Sequence, residues 1–291
     1  MHEGFVPFAM PDIGEAEIES VVETLRSGWL TTGPKVRQFE EDFSNYLGCQ
    51  HAVAVNSATA ALHLALAAVG IEADDEVLVP TMTFAATAEV VLYFKARPVL
   101  IDCQPETLNL DVDKIEKAIT ARTKAIIPVH IAGQACAMDR IMEIARAYNL
   151  HVIEDAAHAL PARLQGRMIG TIGDITCFSF YATKTITTGE GGMATTENSE
   201  WADRMRMMGL HGISKDAWKR YTAEGSWYYE ILYPGFKYNL TDIAAAIGIE
   251  QLKRCEQFWQ IRQRYAELYH KGFQDVPGVI TPYVAPDLQH A

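Results

Sequence analysis

Two side chains of complementary chemistry follow strand-like stretches of this sequence. Residues 175–181 (ITCFSFY) are mostly apolar, β-branched or aromatic, which predicts a buried strand, and Lys184 comes shortly after it. Residues 151–155 (HVIED) predict a second buried strand, which ends in Asp155. Taken alone, Lys184 fits an exposed loop that is rich in hydroxyls and glycines. The aspartate at the end of the upstream strand favours a functional interpretation.

The pair offers the two groups that pyridoxal phosphate requires of a protein. Burial lowers the pKa of a lysine, and a neutral amine can form a Schiff base with an aldehyde. A carboxylate can pair with the protonated pyridine nitrogen of the same cofactor. We therefore predict that Lys184 holds the aldehyde of the cofactor and that Asp155 holds its ring nitrogen.

A third element of the predicted site is the turn after residues 51–55, which alternate as a short strand. The turn leads into the helical stretch AALHLALAAVG. A serine before such a helix usually serves only as an N-cap. A helix N-terminus with free N–H groups and hydroxyls is also an anion site. Given the pair above, we predict that Ser57, Ala58 and Thr59 contact the cofactor phosphate.

Strand-like and helical stretches alternate between residues 51 and 196. This order predicts an α/β fold with a mostly parallel central sheet covered by helices. Such sheets bind ligands at the carboxyl ends of their strands, and Phe84, Asp155 and Lys184 all follow strand ends. No G-x-G-x-x-G sequence follows a strand, which argues against a dinucleotide site. A further helix over residues 14–27 is predicted to pack through one apolar face, which consists of Ile18, Val21, Val22 and Leu25.

The composition narrows the class of protein. The chain has 291 residues with 25 basic and 37 acidic side chains, and its net charge of −12 argues against nucleic acid as a partner. The five cysteines are scattered, so we expect no metal site, no disulfides and a reducing compartment. The first residues do not resemble a signal peptide, and the apolar run over residues 60–71 is too short to span a membrane. We therefore predict a cytoplasmic protein without a membrane segment.

Residues 28–260 resemble the nucleotide-sugar aminotransferases, the DegT-type family of fold-type I pyridoxal-phosphate enzymes. The likeness is greatest to enzymes that aminate 4-keto sugars, such as the 4-amino-4-deoxyarabinose synthases. It rests on several stretches in a fixed order: GWLTTGP (28–34), VNSATAALHLAL (55–66), PTMTFAAT (80–87), AIIPVH (125–130), VIEDAAHA (152–159), FSFYATKTITTGEGG (178–192) and PGFKYNLTDIAAAIG (234–248).

The resemblance implies an activity and further site residues. It implies transfer of an amino group from L-glutamate to a nucleotide-linked keto sugar, and a homodimer with shared active sites. In the family, the position of Phe84 stacks on the pyridine ring, although an aromatic there is more often part of a core. The position of Asn239 reaches the phosphate of the neighbouring site. The hydroxyl of Ser179 could reach the phosphate or the ring oxygen. For His130 and Gln134, contact with a ligand is left open.

His158 follows Asp155 by three residues and has two readings. It could be a core histidine whose ring nitrogens have hydrogen-bond partners within the protein. It could instead lie beside the cofactor and hold the ring or the substrate. In the resembling family, members that aminate C4 tend to carry histidine at this position, whereas many that aminate C3 carry glutamine. We therefore predict C4 amination. Pro161 stands where many relatives have glycine, and we expect it to reshape the loop next to His158.

The resemblance also suggests two domains and leaves two alternatives open. Residues 1–250 are expected to form the large cofactor-binding domain, and residues 251–291 the start of a small C-terminal domain that is cut short. One alternative is a related sugar dehydratase, although those relatives carry histidine in place of the lysine. The other is a catalytically silent sensor or regulatory protein that keeps the fold.

Overall fold

The computed structural model describes residues 6–214 and 229–291. Its helices are α1 Glu15–Ser27, α2 Pro34–Leu47, α3 Ala58–Val69, α4 Ala86–Leu92, α5 Ile115–Ala118, α6 Met138–Tyr148, α7 Ser199–Met208, α8 Asp242–Lys253 and α9 Cys255–Phe273. Its strands are β1 His51–Val55, β2 Glu76–Pro80, β3 Arg97–Ile101, β4 Thr123–Ile126, β5 His151–Asp155, β6 Arg163–Leu164, β7 Arg167–Met168, β8 Ile175–Ser179, β9 Gly192–Thr196 and β10 Leu288–Gln289.

The central sheet of the described chain has seven strands in the order β1-β9-β8-β5-β4-β2-β3. Strand β9 runs antiparallel to both of its neighbours, and the other neighbouring strands run parallel to each other. Successive side chains of β8 point to opposite faces, so that Phe178 packs with α2 and α8 while Cys177 packs with α3. Helices therefore cover both faces, and the predicted α/β fold with a mostly parallel sheet is confirmed.

Helix α1 forms where the sequence predicts it, but the predicted packing face is wrong. The buried side chains are Glu17, Ser20 and Thr24, whereas Ile18 and Leu25 are exposed. The carboxylate of Glu17 accepts hydrogen bonds from Gln251 Nε2 at 2.7 Å and from the Arg254 guanidinium at 3.0 Å. Because these charge-assisted bonds fix the helix on α8, its polar side faces inward.

The entry to α8 ties two of the quoted stretches together. Thr241 is the N-cap of α8 and accepts from the N–H of Ala244. The buried carboxylate of Asp242 instead accepts from backbone N–H groups of Gly33, Lys35 and Val36 at the start of α2. The GWLTTGP loop, the start of α2 and the start of α8 are therefore joined directly.

Other differences concern short or terminal elements. A small sheet of β10, β6 and β7 has no counterpart in the prediction. The sequence from Asp242 predicts one helix that continues to about residue 274. The structure interrupts it at Arg254, and Cys255 and Phe258 then anchor α9 to the core. Residues 211–232 are rich in aromatic and charged side chains without a clear period, which predicts an irregular excursion, and this stretch lies partly outside the described residues. Separation of residues 251–291 into a small domain stays a prediction.

Within residues 6–214 and 229–291, no helix is long and apolar enough to cross a membrane.

Candidate active site

A cavity of about 560 Å³ lies at the carboxyl ends of the parallel strands. Nearly all of the predicted site residues line it, namely Ser57, Ala58, Thr59, Phe84, Asp155, His158, Ser179 and Lys184. These residues come from separate connections, each of which follows a strand of the central sheet. The sheet therefore brings together side chains that are up to 127 positions apart in the sequence, from 57 to 184.

Asp155 forms one wall of the cavity and is only 5% exposed. Its backbone lies in the sheet, where its N–H donates to the Pro128 carbonyl at 2.9 Å. Its Oδ2 accepts from the Thr87 hydroxyl at 2.8 Å, and its Oδ1 accepts from the backbone N–H of Ala157 at 3.1 Å. Two donors thus hold the carboxylate in one orientation.

Lys184 lies opposite, in the turn after β8, and its side chain is half-buried. Its N–H donates to the Tyr181 carbonyl at 2.9 Å, and its own carbonyl accepts from the Arg262 guanidinium at 3.3 Å. Desolvation lowers the pKa of the Lys184 amine, and the negative charge of Asp155 offsets part of that effect. The site thereby favours a larger neutral fraction of this amine than water does.

The N-terminus of α3 closes a third side of the cavity. Ser57 caps this helix by accepting from the N–H of Ala60 at 3.1 Å. The first turn of a helix leaves N–H groups without a helical partner, and here they belong to Ala58 and Thr59. Gly192 of β9 packs closely behind this turn, because a Cβ there would lie 2.5 Å from the carbonyl carbon of Ser57. The turn is an anion site of fixed shape.

Phe84 and His158 complete the lining. Phe84 is 78% exposed, so the structure excludes the reading that it belongs to the core. His158 is also exposed and lines the cavity, which excludes the same reading for it. Partial desolvation and the positive charge of Lys184 lower the pKa of His158, while Asp155 opposes them. Pro161 follows a cis peptide bond and is not among the described residues that line the cavity.

His130 and Gln134, whose ligand contact the sequence leaves open, differ in position. His130 is fully buried and backs the cavity, with its Nε2 bound to Glu154 Oε2 at 2.8 Å. Gln134 is buried elsewhere and donates from Nε2 to the Thr107 carbonyl. Of the two, only His130 belongs to the cavity wall.

Asn239 is the one predicted site residue that lies apart from this cavity. Its amide donates to Thr32 Oγ1 at 2.6 Å, and its oxygen accepts from the ammonium of Lys237. It lines a separate cavity of about 210 Å³ next to β1 and α7. This position is compatible with the predicted contact to a neighbouring subunit, which stays a prediction.

The lining and its support include residues beyond those predicted, among them Thr87, Tyr181 and Phe8. Thr87 donates to Asp155, a contact between side chains 68 positions apart that no local sequence pattern indicates. Tyr181 also lines the cavity, although the sequence predicts it only as the last residue of the strand over residues 175–181. Phe8 also lines the cavity, but nothing in the surrounding sequence indicates this role.

The groups that line the cavity fit the chemistry of pyridoxal phosphate. A half-buried amine, a buried carboxylate and a helix N-terminus face one cavity, and an exposed aromatic ring lies at its edge. They match the aldehyde, the ring nitrogen, the phosphate and the ring face of the cofactor, respectively. The fold and this set of groups define a fold-type I pyridoxal-phosphate enzyme.

Comparison with known proteins identifies the family. A profile of the DegT/DnrJ/EryC1/StrS aminotransferase family matches residues 11–291. An uncharacterized protein of Methanocaldococcus jannaschii is 55% identical over 291 residues, which is 100% of this chain and 75% of the relative. The spore coat polysaccharide biosynthesis protein SpsC of Bacillus subtilis is 52% identical over 287 residues, covering 99% of this chain and 74% of SpsC.

A solved structure gives the same result. The putative sugar aminotransferase Spr1654 from Streptococcus pneumoniae, in its PLP form, superposes with a TM-score of 0.90 at 38% identity. The match covers 98% of this chain and 76% of that one, and Spr1654 was also solved in a PMP form. The chain therefore belongs to the DegT/DnrJ/EryC1/StrS aminotransferase family, and its cofactor is pyridoxal phosphate.

Proposed function

We propose that this protein transfers an amino group from L-glutamate to the ketone of a nucleotide-linked 4-keto sugar, for amino-sugar or surface-polysaccharide biosynthesis. The observation that supports this proposal most directly is that Lys184 and Asp155 face one cavity, with the α3 N-terminus beside them. The descriptions of SpsC as a polysaccharide biosynthesis protein and of Spr1654 as a putative sugar aminotransferase support a sugar as the acceptor class. Lysine at position 184 supports transamination over the dehydratase alternative.

Each residue has a distinct task in this proposal. When bound, pyridoxal phosphate supplies an aldehyde that carries nitrogen and a ring that withdraws electrons. Asp155 holds the proton on the ring nitrogen, and the N–H groups of Ala58 and Thr59 hold the phosphate together with the Ser57 hydroxyl. Lys184 Nζ would move a proton between the α-carbon of the donor and the aldehyde carbon of the bound cofactor, a task for which a lowered pKa suits it.

His158 is proposed to direct the sugar carbon that receives nitrogen. It is exposed within the cavity, beside both Asp155 and Lys184. An imidazole can donate from one nitrogen and accept at the other, and it can change charge near neutral pH, whereas glutamine cannot change charge. These properties and the family pattern favour C4 amination.

The test is a product assay with a panel of nucleotide-linked 3-keto and 4-keto sugars. Glutamate is the donor, mass spectrometry detects the aminated product, and NMR assigns the aminated carbon. We expect turnover mainly of 4-keto sugars, and a His158→Gln variant should lose most of it while retaining the cofactor. Preferential C3 amination would overturn the assignment of His158. Failure of glutamate to support turnover that another amino acid supports would overturn the donor. No turnover with any donor would favour the silent homologue.

A further inference from the structure

Two threonine hydroxyls connect the turn that carries Phe84 with the carboxylate of Asp155. Thr87, in the first turn of α4, is 0% exposed, and its Oγ1 lies 2.8 Å from Asp155 Oδ2. Thr83 Oγ1 lies 2.6 Å from Thr87 Oγ1. A hydroxyl has one proton to donate, and an ionised carboxylate can only accept. Thr87 therefore donates to Asp155, and Thr83 donates to Thr87.

Because Thr87 and Asp155 are both buried, the hydrogen bond between them is strong and its removal is destabilising. A hydrogen bond to a charged acceptor is about twice as strong as a bond between neutral groups. Removal of one partner leaves the other buried and unsatisfied. The other oxygen of Asp155 accepts from the Ala157 N–H, so the two donors together set the rotation of the carboxylate.

We infer that Thr87 is a positioning residue for the cofactor. Its hydroxyl fixes the orientation in which the Asp155 carboxylate meets the ring nitrogen. Through Thr83, the same chain of hydroxyls ties the carboxylate to the turn of Phe84. Asp155, which is assigned to the ring nitrogen, and Phe84, which is assigned to the ring face, are thereby held in fixed positions relative to each other. This inference rests on the roles proposed above for Asp155 and Phe84.

The chain offers a matched control for the test. Thr176 on β8 is 1% exposed, and its Oγ1 donates to the carboxylate of Glu154 at 2.8 Å. Thr176→Val therefore removes a buried hydroxyl–carboxylate bond of the same length from the residue that precedes Asp155. Thr87→Val removes the bond to Asp155 itself, and Thr87→Ser retains a hydroxyl.

The measurement is titration of each full-length apoprotein with pyridoxal phosphate, followed by a pH titration of the visible absorption of the bound cofactor. Thr87→Val should weaken cofactor affinity about tenfold, as expected for loss of one hydrogen bond to a charged group. The midpoint of the pH titration of its visible absorption should move to higher pH. The reason is that a ring nitrogen that holds its proton less firmly withdraws less electron density from the group joined to Lys184. Thr87→Ser should restore most of both properties, and Thr176→Val should change neither.

Several outcomes overturn the inference. Wild-type affinity and midpoint in Thr87→Val would show that the hydroxyl does not act on the cofactor. Equal losses in Thr176→Val would show a general effect on the fold. If circular dichroism shows that Thr87→Val does not fold, Thr83→Val replaces it at the partly exposed end of the chain. That variant should weaken affinity about threefold with the same direction of midpoint shift, and no change would contradict the inference. No sugar or donor is present in these titrations, so a wrong substrate assignment leaves the result intact.

Discussion

At the scale of the residue, Lys184 shows how the cavity prepares a reactive group. Its half-buried side chain is desolvated, and the negative charge of Asp155 offsets only part of that effect, so the pKa of the amine is lowered from 10.5. In the pH range below 10.5 the folded apoprotein therefore binds fewer protons at this site than the unfolded chain does. Stability rises with pH wherever the unfolded state binds more protons. The charged amine thus opposes folding at neutral pH, and this opposition fades as the pH approaches 10.5.

Replacing Lys184 by methionine should therefore stabilise the apoprotein. We expect its melting temperature to rise by about 1–2 °C at pH 7, an effect of the size seen when a functional group is removed from a site. The gain should shrink as the pH is raised towards 10. Differential scanning calorimetry without cofactor measures it, and Lys117→Met, at an exposed position on α5, is the control. An equal gain for both variants, or a gain that grows with pH, would contradict the assigned environment of Lys184.

The sequence predicts the residues of the site better than it predicts the residues that position them. Lys184, Asp155 and Ser57 were predictable because each follows a strand-like stretch, and a parallel sheet brings such ends together. The role of Thr87 was hidden, since only the tertiary structure shows that its hydroxyl meets a carboxylate 68 positions further along the chain. Phe8 was not predictable because no local pattern marks a segment that crosses a distant cavity.

At the scale of the element, periodicity predicted the existence and position of most helices and strands. The face of α1 was the exception, since an apolar stripe ordinarily faces the core. There Glu17 binds Gln251 and Arg254, which lie more than 230 positions later, and no local pattern records such a pairing. The small sheet of β6, β7 and β10 was missed because its strands have two residues each, too few to show a period.

The N-terminus of α3 has a structural role and a proposed binding role, and these can be separated. Ser57→Ala removes the cap of α3, and Asn198→Ala removes the cap of α7, where Asn198 accepts from the N–H groups of Glu200 and Trp201. Each change should lower the free energy of unfolding by about 1 kcal/mol. Only Ser57→Ala should also weaken binding of pyridoxal phosphate, by about tenfold, because it removes a hydroxyl from the anion site.

Chemical denaturation gives the stability of both variants, and cofactor titration of the apoproteins gives their affinity. If Asn198→Ala weakens cofactor binding as much as Ser57→Ala does, the effect comes from stability and not from contact with the phosphate.

At the scale of the whole molecule, several exposed apolar side chains lie on consecutive elements, namely the β2–α4 connection, the end of α4 and the edge strand β3. They include Met82, Phe84, Leu92, Tyr93 and Leu100. Exposed apolar side chains that form a patch mark interaction surfaces. Asn239 lies outside the Lys184 cavity of its own chain, held by Thr32 and Lys237. Both features are compatible with the predicted homodimer, in which Asn239 would serve the cavity of the partner.

The proposal of shared sites predicts complementation between two damaged subunits. Lys184→Ala should abolish turnover, and Asn239→Ala should weaken cofactor retention about tenfold without unfolding the protein, since one hydrogen bond to a phosphate is lost. The two variants are co-expressed with different affinity tags, and the mixed dimer is purified through both.

If Asn239 acts across the interface, one site of that dimer carries both changes and the other carries neither. The mixed dimer should then regain about half of the wild-type activity at limiting cofactor, as a two-fold symmetric pair with one intact site requires. If Asn239 acts within its own chain, every site is damaged and no recovery occurs. Sedimentation at micromolar concentration gives the independent check, because a cofactor-bound monomer would contradict shared sites.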